Sequence, residues 1–144
     1  MAKTVSNLIL LVDDDTSARA VRKVVLEFHG HQVVAVGDAE HALHILQEQP
    51  IKLVILDYFL DGMTGTELAR TMRGLKPQVP ILLLSGSTDV PDGIECVDGY
   101  LSKLEPVAAI EKKIAELLHR PEASRICPQP AAGWRNAASK DRSG

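Results

Sequence analysis

The sequence predicts an α/β fold built on a doubly wound, five-stranded parallel sheet. Two observations lead there. Short, almost continuously aliphatic runs alternate with longer amphipathic stretches, and acidic or hydroxyl residues gather where the runs end. Continuous aliphatic runs suit strands covered on both faces, and strands alternating with helices imply right-handed crossovers into a parallel sheet.

The runs lie at 8–12, 33–36, 53–56, 81–84 and, more weakly, 99–101. Between them are helical patterns. Residues 16–29 space Ala18, Val21, Val25 and Phe28 at three- to four-residue intervals, with Asp15 or Thr16 as N-cap and Gly30 where a C-terminal cap belongs. Residues 38–47 bury Ala39, Ala42, Leu43 and Leu46 behind an Asp38 N-cap. Residues 66–73 carry Leu68, Ala69 and Met72. The last helix starts at Pro106, ends near His119 and aligns Val107, Ile110, Ile114 and Leu117. The stretch after Ser85, with Pro91, Gly93 and Gly99, predicts a short or irregular fourth helix instead of a full one.

Composition narrows the function. Apolar residues make 45% of the 144, but Phe, Trp and Tyr only 3%, so the core is aliphatic. A net charge of −3 makes no electrostatic case for a nucleic-acid partner. Cys96 and Cys127 fit neither a metal pattern nor a disulfide framework. No leader-like segment or apolar run of membrane length occurs, so the expectation is a cytoplasmic chain with no membrane partner. Residues 1–6 read as an N-terminal extension, 7–120 as the domain, and 121–144 as a disordered tail. The tail carries four Lys and Arg against two Asp and Glu, and Trp134 is its one large aromatic.

The chemistry concentrates at the strand ends. The first run leads into Asp13, Asp14 and Asp15, the third into Asp57, the fourth into Ser85, Gly86 and Ser87, and the fifth into Lys103. In a parallel sheet these ends share one edge, where such folds bind their ligands. Clustered carboxylates repel and need a cation, and Mg²⁺ suits hard oxygen ligands. A carboxylate there can attack phosphorus, with Lys103 and Ser85 suited to the developing charge. Taken singly, each residue also reads as an ordinary cap, loop carboxylate, strand-end serine or solvated lysine; the conjunction carries the reading.

That conjunction resembles the receiver domain of bacterial two-component response regulators. The matching segments are LILLVDDD at 8–15, LVILDYFLDGMTG at 53–65, PILLLSGS at 80–87 and GYLSKLEP at 99–106. The resemblance implies a flavodoxin-like three-layer sandwich, stand-alone here because nothing after Arg120 looks like an output domain. It implies phosphorylation of Asp57, with Mg²⁺ held by Asp13, Asp14, Asp57 and the main-chain carbonyl of Phe59. Lys103 and Ser85 would contact the phosphoryl oxygens, and Ser85 and Tyr100 would form the switch. Partners implied are a sensor histidine kinase or phosphotransfer protein and a downstream target protein reached by docking. The chain would catalyse only its own phosphorylation and dephosphorylation.

Three positions depart from the family pattern. Leu104 follows Lys103 where the family has a cis proline. A cis bond there would cost roughly 3 kcal/mol, leaving the loop either strained or trans and differently shaped. Asp61 replaces another proline, and the stretch from Ser85 to Lys103 is short. Two other readings stay open: a receiver-like binding module that works without phosphorylation, and, more distantly, a haloacid-dehalogenase-type phosphatase built on Asp13 and Asp15.

Overall fold

The computed structural model describes residues 7–86 and 91–119. Expectations for Ser87, Arg120, Cys127, Trp134, the first six residues and the tail lie outside that range.

Five strands form the predicted parallel sheet: β1 (Leu8–Val12), β2 (Gln32–Val36), β3 (Leu53–Asp57), β6 (Ile81–Ser85) and β7 (Gly99–Ser102). Their order is β2-β1-β3-β6-β7, all neighbours parallel. The strand order therefore reverses direction between β1 and β3, and that pair of carboxyl ends borders the crevice. Among the described residues, four α-helices cover the sheet: α1 (Thr16–Phe28), α2 (Ala39–Glu48), α3 (Gly65–Leu75) and α4 (Val107–Leu118).

Alternation along the strands splits the core in two. Leu10, Val12, Val54 and Leu56 pack with Ala42, Leu46, Leu68 and Met72 of α2 and α3. Ile9, Leu11, Ile55 and Leu84 pack with Leu26, Ile110, Ile114 and Leu117 of α1 and α4. Strands β3 and β6 are buried at every position, as their unbroken aliphatic runs require.

Local chemistry sets the helix starts. Asp15 accepts from the Ala18 N–H (3.0 Å) and Asp38 from the His41 N–H (2.8 Å), as expected of both caps. Thr64 and Glu67 form a reciprocal capping box at α3. Pro106 sits at the N-cap of α4, one residue earlier than its predicted place inside the first turn.

The apolar face predicted for α1 is corrected. Leu26 is the buried residue, while Val21 is exposed and Phe28 is 85% exposed. The helix offers two apolar rows one residue apart. The row through Leu26 faces the sheet, and Ala18 and Val21 border an open groove shared with α4. Val107 of α4 is likewise half-exposed.

Where the sequence predicts a short or irregular fourth helix, the described residues 91–98 hold one 3-10 turn, Ile94–Cys96. Arg73 of α3 holds this segment. Its guanidinium pairs with Asp98 (2.5 Å) and donates to the carbonyls of Pro77 (3.1 Å) and Cys96 (3.3 Å).

Candidate functional site

Asp13 directly follows β1, Asp57 and Ser85 end β3 and β6, and Lys103 follows β7. Because β1 and β3 are neighbours, Asp13 and Asp57 meet across the reversal point of the sheet. One carboxylate oxygen from each of Asp13, Asp14 and Asp57 lies within 4.8 Å of the others. Asp13 is 2% exposed and Asp57 8%, while Asp14 faces solvent. The cluster is thus walled on the protein side and open on the other.

Lys103 bridges the two buried carboxylates. Its Nζ stands 3.1 Å from Asp57 Oδ2 and 3.4 Å from Asp13 Oδ2. The replacement of proline by Leu104 does not prevent this. No described peptide bond is cis, so the loop takes the trans alternative. Ser102 shapes the turn instead: its hydroxyl accepts from the Leu104 N–H (3.0 Å) and its carbonyl from the Glu105 N–H (3.1 Å). The Lys103 N–H donates to the Ser85 carbonyl (2.7 Å), tying the lysine to the end of β6.

Ser85 is fully buried. Tyr100 is partly buried on β7, opposite Leu83 of β6, against the α2–α3 side of the core. Phe59 lies two residues beyond Asp57, and its ring meets Tyr58 edge-on.

Sequence reasoning missed a small hairpin here. Strands β4 (Phe59–Leu60) and β5 (Met63–Thr64) pair antiparallel around Asp61 and Gly62. Asp-Gly between Phe59–Leu60 and Met63–Thr64, all strand-compatible residues, is a signal for such a turn. Asp61 therefore sits exposed at the hairpin tip, outside the carboxylate cluster. The hairpin closes onto Gly65, where any Cβ would collide with the Asp57 carbonyl and crowd Leu83.

Burial pushes the Asp57 carboxyl above the usual carboxylate range. Lys103 draws it back down and Asp13 adds a smaller upward push. The native chain therefore holds a proton on Asp57 at a pH where the unfolded chain has lost it. As pH rises from the ordinary carboxylate value through the raised one, stability falls, and the deficit persists above it. In chelator-treated protein, Asp57→Asn is expected to exceed the native chain in urea midpoint at neutral pH. The gap should close on acidification below the raised value; a constant gap across pH would refute this origin.

Hard oxygen donors, two of them buried and one at the solvent edge, fit a divalent cation of the Mg²⁺ type that keeps several waters. Fold and pocket together define a doubly wound α/β domain with an acidic, lysine-flanked crevice at its strand reversal. The family model "Response regulator receiver domain" matches residues 9–115, and the chain belongs to that family.

Among curated relatives, transcriptional regulatory protein AfsQ1 of Streptomyces coelicolor is 33% identical over 118 residues, covering 79% of this chain and 52% of that one. DNA-binding response regulator MtrA of Mycobacterium tuberculosis is 36% identical over 104 residues, covering 69% and 45%. A CheY-like receiver from Methanospirillum hungatei superposes with TM-score 0.74 at 28% identity, covering 79% of this chain and 94% of that chain. Response regulator TrrA of Thermotoga maritima, solved with Mg²⁺ and BeF, gives 0.73 at 27%, covering 77% and 98%.

The chain spans about half the length of the curated relatives it matches. This corrects the expectation, drawn from net charge, of no nucleic-acid partner: the matched relatives are described as DNA-binding or transcriptional regulators. Charge on a receiver segment reports only on that segment's own surface. The receiver match also sets aside the dehalogenase-type alternative. Among the described residues, no helix is long and apolar enough to cross a membrane.

Proposed function

We propose that this chain is the phosphoacceptor of a His–Asp phosphorelay, with Asp57 as the residue phosphorylated. The observation that supports this most is Lys103 Nζ standing 3.1 Å from Asp57 in a pocket shared with Asp13 and Asp14. An Asp57 carboxylate oxygen attacks the phosphorus of a phosphohistidine. The P–N bond breaks, its electron pair returns to the imidazole, and Asp57 carries the phosphoryl group as an acyl phosphate.

Lys103 and the Ser85 hydroxyl receive the new oxygens, and Lys103 counters the charge that builds on them. Mg²⁺ held by Asp13, Asp14, Asp57 and the Phe59 carbonyl would supply the remaining charge neutralisation. The dianion biases a two-state equilibrium by the contacts it gains with Ser85 and Lys103, and Tyr100 rearranges with Ser85. The chain turns over no separate substrate; it passes its state on by docking to another protein.

Incubation with Mg²⁺ and acetyl phosphate, read by intact-mass spectrometry, tests this. One phosphoryl adduct is expected on the native chain and none on Asp57→Asn. A native chain left unmodified under conditions that label other receivers would sink the proposal and leave a binding module that works without phosphorylation.

A further inference from the structure

Arg19 takes no part in the chemistry just described, yet its guanidinium reaches the acidic pocket from behind. It projects from the first turn of α1, and its Nη1 donates to the main-chain carbonyl of Asp13 (2.8 Å). Besides the contact of its Oδ2 with Lys103, Asp13 is held at two other points. Its N–H donates to the Val36 carbonyl at the end of β2 (3.2 Å), and its Oδ1 accepts from the Asp15 N–H (2.9 Å).

The guanidinium lies across the next residue of β2's exit, Gly37. A Cβ built on Gly37 would stand 2.5 Å from Arg19 Nη1 and 3.3 Å from Cζ, and those are the closest atoms it would meet. Gly37 does not have a left-handed backbone, so alanine is conformationally allowed there. Within 4 Å, the Arg19 guanidinium is what a side chain there would meet.

We propose that Arg19 is a positioning residue for the metal-binding loop, and that Gly37 sets metal affinity by granting Arg19 its place. The inference rests on the reading of Asp13, Asp14 and Asp57 as a Mg²⁺ pocket. Arg19 acts on that pocket in two opposite ways. Its bond orients the Asp13–Asp14 segment, which favours the cation, while its positive charge opposes one. Arg19→Ala removes both, so it cannot separate them. Gly37→Ala can, because it displaces the guanidinium and leaves every charge in the molecule. The atoms it displaces are the far end of a flexible side chain, so the fold itself loses little.

The test is calorimetric titration of the full chain with Mg²⁺ alone, using the native protein, Gly37→Ala, Arg19→Ala and the double variant. Gly37→Ala is expected to bind Mg²⁺ about 10-fold more weakly, in the range seen when a support behind a metal ligand is removed. Its thermal midpoint should stay near the native value. In the Arg19→Ala background, the same glycine substitution should change affinity by less than about 2-fold, because the residue it displaces is gone. A metal-free reading runs beside it: hydrogen exchange at the Asp15 amide should quicken in Gly37→Ala, since its acceptor is Asp13 Oδ1.

Each other outcome is decisive. Native binding with an unchanged Gly37→Ala overturns the positioning role alone. An equal loss in both backgrounds shows that Gly37 acts without Arg19 and overturns it too. A native chain that binds no Mg²⁺ overturns the metal pocket and this inference together.

Discussion

Lys103→Ala is expected to slow phosphorylation of Asp57 by acetyl phosphate about 10²- to 10³-fold at saturating Mg²⁺, the cost of losing one preorganised charge-stabilising donor. Two effects of the substitution must be separated. Without metal, removing Lys103 leaves the buried Asp13 and Asp57 carboxylates facing each other with no ammonium between them. That destabilises the pocket, and a bound divalent cation offsets the repulsion. The rate is different. Charge spreads over the transferring phosphoryl oxygens, and a cation on the Asp13–Asp14 side leaves the Lys103 side uncompensated. Added Mg²⁺ should therefore restore the thermal midpoint of Lys103→Ala but not its rate. Initial rates from timed intact-mass spectra would measure this, and a rate within threefold of native would remove Lys103 from the chemistry. The same experiment tests the Leu104 loop, since the trans turn made by Ser102 is what delivers the ammonium.

Asp98→Ala is expected to be the most damaging change remote from the pocket, costing about 3–5 kcal/mol. The Arg73 and Asp98 side chains are 12% and 5% exposed, so this is no surface ion pair. Asp98 also accepts from the Ile81 N–H (2.8 Å), and its own N–H donates to the Ile81 carbonyl (2.9 Å). Truncation would strand a buried guanidinium and an amide at the start of β6, and stranded charge outweighs the lost attraction itself. For a domain of this size the thermal midpoint should fall by roughly 10–20 °C. Asp98→Asn, which keeps an acceptor for the Ile81 N–H, should fall less. Urea denaturation of the three proteins checks the order; a cost below about 1 kcal/mol for Asp98→Ala would show that the clamp is dispensable. It stands where a longer fourth helix would otherwise brace the edge of the sheet.

Legibility tracked the range of the interaction. Strand positions were readable because burial on both faces demands continuous aliphatic runs, and each run falls within its observed strand. The caps at Asp15 and Asp38 were readable because a cap is made within three residues. The gathering of Asp13, Asp57, Ser85 and Lys103 at one edge followed from parallel topology, which needs only the alternation of strands and helices. The Asp61–Gly62 hairpin was equally local and was overlooked.

Other features needed the folded chain. Which of two adjacent apolar rows on α1 turns inward depends on the rotation of that helix against the sheet, so Phe28 read as core and lies in solvent. Arg73 with Asp98, and Arg19 with Gly37, join residues whose partnership has no periodicity or spacing to announce it. The sequence by itself determined the doubly wound sheet and the acidic edge, because pattern and strand direction suffice for both. Only the tertiary structure decided how Lys103 reaches Asp57 without a proline and how the shortened edge is held. The Lys103 N–H to Ser85 carbonyl bond and the Arg73–Asp98 clamp join atoms that become neighbours only after the sheet has formed.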